Sequence, residues 1–328
     1  MASSDTQRSE NTEPLPRVAV IGCGLIGQAW AVVFLRAGYG VTLFDPNETA
    51  LQEASPAIEA KLNDLVAAGL MSAQNASTAR GQLIVATDLT NALEGAVYVQ
   101  ENAPENLELK SALTRQIDRL LPEHVPIGSS TSGIPASDNA RDVAGRHRCL
   151  VAHPINPPHL VPAVEIVPAP WTDPDITQTV CDLMQRVGQS PVLLEKEIDG
   201  FVVNRLQGAL LREAFRLLSE GVASHETIDT AISDGLGLRW ALMGPFETIH
   251  LNAPGGVAQY VERYGPLYRK MFAEQARTDD WEAALDMGLQ EALCTQHPLD
   301  QLAQSHTMRD KRLMQLLRSR NPSGELSD

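Results

Sequence analysis

The stretch Arg17–Asp45, RVAVIGCGLIGQAWAVVFLRAGYGVTLFD, decides the fold. Val18–Ile21 is an apolar run that breaks into Gly22-Cys23-Gly24-Leu25-Ile26-Gly27, and Gln28–Ala37 continues with apolar residues at helical spacing. The order is strand, tight turn, helix. A second apolar run, Val41–Phe44, ends in Asp45, where a dinucleotide-binding unit places an acid at the tip of its second strand. Gly22 suits the sharp turn, Gly24 leaves room for a pyrophosphate, and Gly27 lets helix and strand pack closely. The phosphates then meet the helix N-terminus, whose unpaired N–H groups and positive dipole end favour an anion. Asp45 accepts hydrogen bonds from ribose hydroxyls and repels a 2′-phosphate, so the expected cofactor is NAD rather than NADP.

The chain of 328 residues suggests two domains, because single cores rarely grow past about 250 residues. A formal charge of −15, from 26 basic and 41 acidic residues, opposes nonspecific attraction to nucleic acid or an anionic membrane. Neither is an expected partner. Cys23, Cys149, Cys181 and Cys294 are far apart with no CxxC pair, which fits reduced thiols in the cytoplasm and no metal site. Residues 1–16 are polar and of mixed charge, read as a disordered tail without the apolar centre of a signal peptide. No apolar run approaches the ~20 residues of a membrane span.

Beyond Asp45 the patterns alternate. Helices are expected at 47–70, 72–81, 106–121 and 173–187, with a short one that Asp88 caps, and strands at 83–86, 97–100, 126–129, 149–153, 164–167 and 191–194. The fold class is therefore α/β, a Rossmann-type dinucleotide-binding domain over residues 17–199 with a mostly parallel sheet covered on both faces. Strand signals stop near Gly200. Residues 201–220, 224–235, 255–276, 280–293 and 298–318 read as helices, so residues 200–328 form an all-α domain for substrate binding and dimerisation.

Removing a hydride from an alcohol carbon needs an acceptor for the hydroxyl proton, a task that suits imidazole. His153 ends a strand before a proline-rich loop, and Glu165 on the neighbouring strand is a carboxylate able to hold its other nitrogen. A histidine with a purely structural role at a strand end is the alternative.

The segments GSSTSG, VAHPINPPHLVPAVEIVP, DGFVVNRLQGALLREAFRLLSEGV and GPFETIHLN, with GCGLIG and VQENAPENLELK, resemble the L-3-hydroxyacyl-CoA dehydrogenase superfamily, and within it the lambda-crystallin or L-gulonate 3-dehydrogenase branch. The resemblance covers residues 17–318 in unbroken order. It implies an active site of Ser132, His153, Glu165 and Asn204: His153 as general base in oxidation, Glu165 orienting it, Ser132 bonding the substrate oxygen, and Asn204 positioning substrate and nicotinamide. Asn156 in the loop after His153 joins the substrate contacts. On the cofactor side the resemblance adds Leu25, Ile26, Glu105 and Lys110 to Gly22, Gly24, Gly27 and Asp45. A turn-forming Ser132, a polar helix-start Asn204 and a merely solvated Lys110 are the bland readings.

One departure separates the branches. Acyl-CoA enzymes of this superfamily pass from Gly-x-Gly almost directly into a Met-Gly-Pro turn, whereas this chain has Gly235-Leu236-Gly237-Leu238-Arg239-Trp240-Ala241-Leu242-Met243-Gly244-Pro245. Arg239 has forked donors for a free carboxylate, unless it is simply paired on the surface. Residues 48–71, where the acyl-CoA enzymes hold coenzyme A with basic residues, contain only Lys61 against Glu48, Glu53, Glu59 and Asp64. The resemblance therefore implies a homodimeric, NAD-dependent dehydrogenase of a small free 3-hydroxy acid, L-gulonate first. L-carnitine, another 3-hydroxy acid and a 3-hydroxyacyl-CoA are the enzyme alternatives, and a crystallin-like structural protein that binds NAD is the alternative without catalysis.

Overall fold

The computed structural model of the chain describes residues 16–276 and 281–320. The tail expected at the amino terminus lies, through residue 15, outside them. Contacts divide the chain into two units: residues through Val203 together with those from His306 onward, and Asn204–Ser305.

The first unit is built on one sheet. Its strands are β1 (Arg17–Ile21), β2 (Gly40–Phe44), β3 (Leu83–Val85), β4 (Ala96–Glu101), β5 (Ile127–Ser129), β6 (Cys149–Pro154), β7 (Ala163–Pro168) and β8 (Ser190–Leu193). They lie in the order β3-β2-β1-β4-β5-β6-β7-β8, with β6 and β7 the antiparallel pair. The connection between those two, residues 155–162, is shorter than the dozen or so residues a parallel crossover needs, so the chain must reverse. Successive β1 side chains serve two cores: Val18 and Val20 pack with Tyr98 on one face, Ala19 and Ile21 with Val99 on the other. That is why the strand reads as a continuous apolar run.

Helices α1 (Leu25–Arg36), α2 (Glu48–Ala67), α3 (Ala73–Gly81), α4 (Leu89–Leu93), α5 (Leu107–Leu120), α6 (Ala136–Asn139) and α7 (Pro174–Arg186) complete the wrapping. Asn47, Ser72, Asp88 and Asn106 each accept a backbone N–H at a helix start, so four of the boundaries are written in single polar side chains. The short α6 has no counterpart in the sequence reading, since four residues are too few to establish a period.

The helical unit comprises most of α8 (Val203–Ser219), then α9 (His225–Thr230), a π-helical stretch at Ala231–Leu236, α10 (Gly237–Trp240), α11 (Pro245–Leu251), α12 (Gly256–Gln275), α13 (Trp281–Asp286) and α14 (Leu289–Gln296). The helix expected over 280–293 is broken at Gly288, whose φ of +83° no helix tolerates, and its first residue lies outside the described residues. α11, absent from the helices expected above, starts at Pro245, the residue type whose missing N–H and fixed φ suit a first helical position. α8, α9, α10, α12 and α14 bury none of their side chains within this chain.

α15 (Leu302–Arg320) begins in the helical unit and ends in the first. Met314 is buried in the cluster that holds Leu62 and Leu65 of α2, and Leu313 and Leu317 pack against it. Residues 306–320 thus group with the sheet rather than with the helical segment expected from the sequence, because their apolar side finds its cover there.

Candidate active site and cofactor cradle

The glycine turn between β1 and α1 is shaped as a dinucleotide requires. Gly22 has φ +94°, and a Cβ there would stand 2.7 Å from the Asn102 carbonyl oxygen. A Cβ on Gly27 would stand 1.9 Å from the Gly22 carbonyl oxygen, whereas one on Gly24 would meet nothing within 4 Å. The first forces a glycine by conformation, the second by close approach, and the third faces open space. No described side chain caps α1 and its first turn holds no acid, so the N–H groups around Leu25 and Ile26 remain for an anion. At the tip of β2, Asp45 accepts the Cys23 N–H at 2.8 Å through Oδ2 and the Asn47 N–H at 2.9 Å through Oδ1. Each oxygen keeps a further lone pair, enough for the two ribose hydroxyls of NAD. The residues present fit that cofactor.

The loop after β4 differs from its sequence reading. Lys110 is only 1% exposed, and its Nζ lies 3.1 Å from both carboxylate oxygens of the buried Glu101. Ser129 Oγ and the Ala103 N–H donate to the same carboxylate at 2.5 Å each. Lys110, expected at the cofactor, is a buried prop that ties α5 to the ends of β4 and β5. A buried ammonium requires such a partner. Glu105 stays exposed, but its Oε1 accepts from Thr131 Oγ1 at 2.6 Å, Ser132 N–H at 3.0 Å, Ser132 Oγ at 3.2 Å and Gly133 N–H at 3.0 Å. It holds the turn that carries Ser132.

Sequence reasoning missed the polar network beneath that turn. Ser130 Oγ receives hydrogen bonds from Trp30 Nε1 at 3.0 Å and Gln100 Nε2 at 2.7 Å, and donates to Asn102 Oδ1 at 2.7 Å. Tyr98 donates to Gln100 Oε1 at 2.7 Å. A glutamine at the end of an apolar strand and a tryptophan in an aliphatic helix were the available signals.

β6 and β7 place His153 directly opposite Glu165. His153 Nδ1 is 2.7 Å from Glu165 Oε2, and the other carboxylate oxygen accepts the N–H groups of Val202 at 2.7 Å and Val203 at 2.9 Å. Burial alone would push the Glu165 carboxyl up, but the hydrogen bonds from His153, Val203 and Val202 outweigh it and hold it below the usual range. A carboxylate holding Nδ1–H leaves Nε2 as the basic nitrogen of the neutral ring. Phe201 lies with its ring 5.7 Å from the imidazole and has φ +49°, an uncommon backbone state for a bulky residue.

Ser129 of β5 pairs with Val151 of β6, so Ser132, three residues past the end of β5, and His153, two residues further along β6, lie toward the same end of the two strands. Asn156 is exposed in the loop that follows β6. Asn204 and Arg239 belong to the helical unit, the first near the start of α8 and the second exposed on α10. Among the described residues no cluster of His, Cys, Asp and Glu could hold a metal ion, and no helix is long and apolar enough to cross a membrane.

The description "3-hydroxyacyl-CoA dehydrogenase, NAD binding domain" matches residues 17–198, and "3-hydroxyacyl-CoA dehydrogenase, C-terminal domain" matches residues 200–286. The chain is 42% identical to the lambda-crystallin homolog of Bos taurus over 302 residues, 91% of this chain and 94% of that one. It is 37% identical to the L-carnitine dehydrogenase of Streptomyces coelicolor, covering 96% of this chain and 98% of the relative. Among solved structures it is similar to an NAD+-dependent 5-formyl-3-hydroxy-2-methylpyridine 4-carboxylic acid 5-dehydrogenase, with a TM-score of 0.79 at 28% identity over 93% of this chain and 98% of that chain. The glycine cradle, the two-unit architecture and these likenesses agree: the chain belongs to the 3-hydroxyacyl-CoA dehydrogenase family, on its lambda-crystallin branch, and is an NAD-dependent oxidoreductase.

Proposed function

We propose that the protein oxidises the 3-hydroxyl of a small free hydroxy acid, L-gulonate to 3-dehydro-L-gulonate first, in the cytosol. NAD, when bound, accepts the hydride. The single observation that carries the reading is the His153–Glu165 pair at the sheet edge of a family-typical NAD-binding unit. His153 takes the hydroxyl proton on Nε2, and Glu165 fixes the tautomer and offsets the positive charge that develops on the ring. Ser132, on the turn that Glu105 holds, bonds the substrate oxygen by turning toward it the hydroxyl that donates to Glu105, and Asn156 and Asn204 contribute further polar contacts.

Free acids are preferred over acyl-CoA for two reasons. α2 offers one lysine among its acids, poor ground for a polyphosphate. Arg239 lies in α10, the turn that follows a π-helical stretch, a way of accommodating extra residues in a helix that recurs at functional sites. Its guanidinium holds the substrate carboxylate. L-carnitine is the second candidate substrate, supported by the relative of that name. Two copies pair through the helical unit: five of its helices bury no side chain, and Leu242 after α10 and Phe246 on α11 are 75% and 80% exposed.

NADH formation at 340 nm with L-gulonate, L-carnitine, 3-hydroxybutyrate and 3-hydroxybutyryl-CoA tests the substrate class. Arg239→Met lowers kcat/KM for the free acids roughly 10- to 150-fold, the worth of a charge-assisted hydrogen bond, and Arg239→Lys recovers part of it. Unchanged rates in Arg239→Met, or a wild type far faster on the thioester than on any free acid, would replace this reading with the acyl-CoA one.

A further inference from the structure

Lys61, the one basic residue of α2, has no role in the chemistry above, yet its ammonium is placed with care. Nζ donates to Gln28 Oε1 at 3.1 Å, with the Ala57 carbonyl at 3.5 Å. Gln28 Nε2 in turn donates at 3.0 Å to the carbonyl of Cys23, the residue between the first two glycines of the dinucleotide turn. The N–H of Cys23 is the group that Asp45 accepts. The peptide units on both sides of Cys23 are therefore tied, one to each wall of the cradle.

The tie through Gln28 matters because of what flanks it. Cys23 stands between two glycines, whose backbones have little intrinsic preference, so the shape of the turn must be selected by outside contacts. A peptide is planar, so fixing the Cys23 carbonyl also fixes the Gly24 N–H on the other side of the same bond, at the entry to α1. An amide side chain can present either end. Lysine can only donate, so Oε1 of Gln28 must face Lys61 and Nε2 must face the Cys23 carbonyl. The Cys23 carbonyl can only accept and so requires the same orientation, which Lys61 secures from the other end of the amide. Burial pulls its ammonium below the ordinary range, and the carboxylates of Asp310 on α15 and Asp64 offset part of that shift.

We propose that Lys61 is a positioning residue for the cofactor: by orienting the Gln28 amide it holds the glycine turn in the arrangement that receives the pyrophosphate of NAD. The turn is then organised before the ligand arrives, which spares the ordering cost at binding.

Fluorescence titration of NADH into the wild type, Lys61→Met, Lys61→Arg, Gln28→Leu, Gln28→Glu and the Lys61→Met/Gln28→Leu double variant tests this, alongside melting temperatures without cofactor. Lys61→Met and Gln28→Leu each weaken NADH about 3- to 10-fold, the range of one hydrogen bond, with kcat at saturating NAD nearly unchanged. Lys61→Arg keeps the wild-type affinity, and the double variant is no weaker than Gln28→Leu, as links of one chain require. Gln28→Glu, which still accepts from Lys61 but cannot donate to the carbonyl, loses as much as Gln28→Leu and decides the matter should Lys61→Met fail to fold. Wild-type NADH affinity in Lys61→Met or Gln28→Glu, losses that multiply in the double variant, or a lowered melting temperature with unchanged affinity would each overturn the proposal.

Discussion

His153 and Glu165 are joined by a single 2.7 Å contact, and the other carboxylate oxygen holds two backbone N–H groups. His153→Gln lowers kcat by about 10²- to 10⁴-fold, the usual worth of a positioned acid–base group, while NADH affinity by titration stays near wild type. In the wild type the oxidation rate falls toward acid pH, since an imidazole already carrying a proton cannot take another. A flat pH–rate profile would argue against the role. His159, in the loop between β6 and β7, behaves in the opposite way. Burial, with the nearby charges of Arg36, Lys61 and Arg309, lowers its pKa to about 3, and its buried Nδ1 has no hydrogen-bond partner. The unfolded imidazole titrates near 6.5, so the unfolded chain takes up a proton that the folded one refuses. Its contribution to stability is complete above about pH 6.5 and is lost as pH falls toward about 3. His159→Asn flattens that decline, measured as urea midpoints at a series of pH values. A decline parallel to the wild type would disprove it.

At the scale of elements, what was legible in the sequence was local. The glycine turn, Asp45 at the tip of β2, the Asp88 cap and the His153–Glu165 spacing all express rules that operate within a few residues or one strand pair. What escaped depends on partners far apart in the chain. Lys110 looks like a solvated helix residue until Glu101 and Ser129 close over it, and Trp30 is ordinary core until Ser130 comes within reach. Periodicity says which face of α15 is apolar, not which surface covers it. The cover is the α2 side of the sheet unit, so Met314→Ala destabilises that unit by about 2 to 5 kcal/mol, the usual cost of deleting a buried methionine side chain. Chemical denaturation checks this. A loss within about 0.5 kcal/mol, typical of surface sites, would place α15 outside the core.

For the whole molecule, the first unit buries a two-faced sheet and the second leaves much of its apolar surface uncovered within one chain. Light scattering at micromolar concentration therefore returns twice the 35.6 kDa chain mass. A single-chain mass would exclude pairing through the helices. The acidic balance of −15 disperses such assemblies rather than opposing a defined contact.

The return of α15 to the sheet also has a consequence for the order in which the protein is made. The apolar flank of α2 leaves the ribosome early, but the segment that shields it follows only after the whole of Asn204–Ser305, about 5 to 20 s later at ordinary elongation rates. During that interval Leu62 and Leu65 lack part of their partner surface. The nucleotide-binding unit, first in sequence, is therefore among the last to close, and a nascent chain stalled before residue 306 is a target for chaperones and proteases even though every strand of its sheet has already been synthesised.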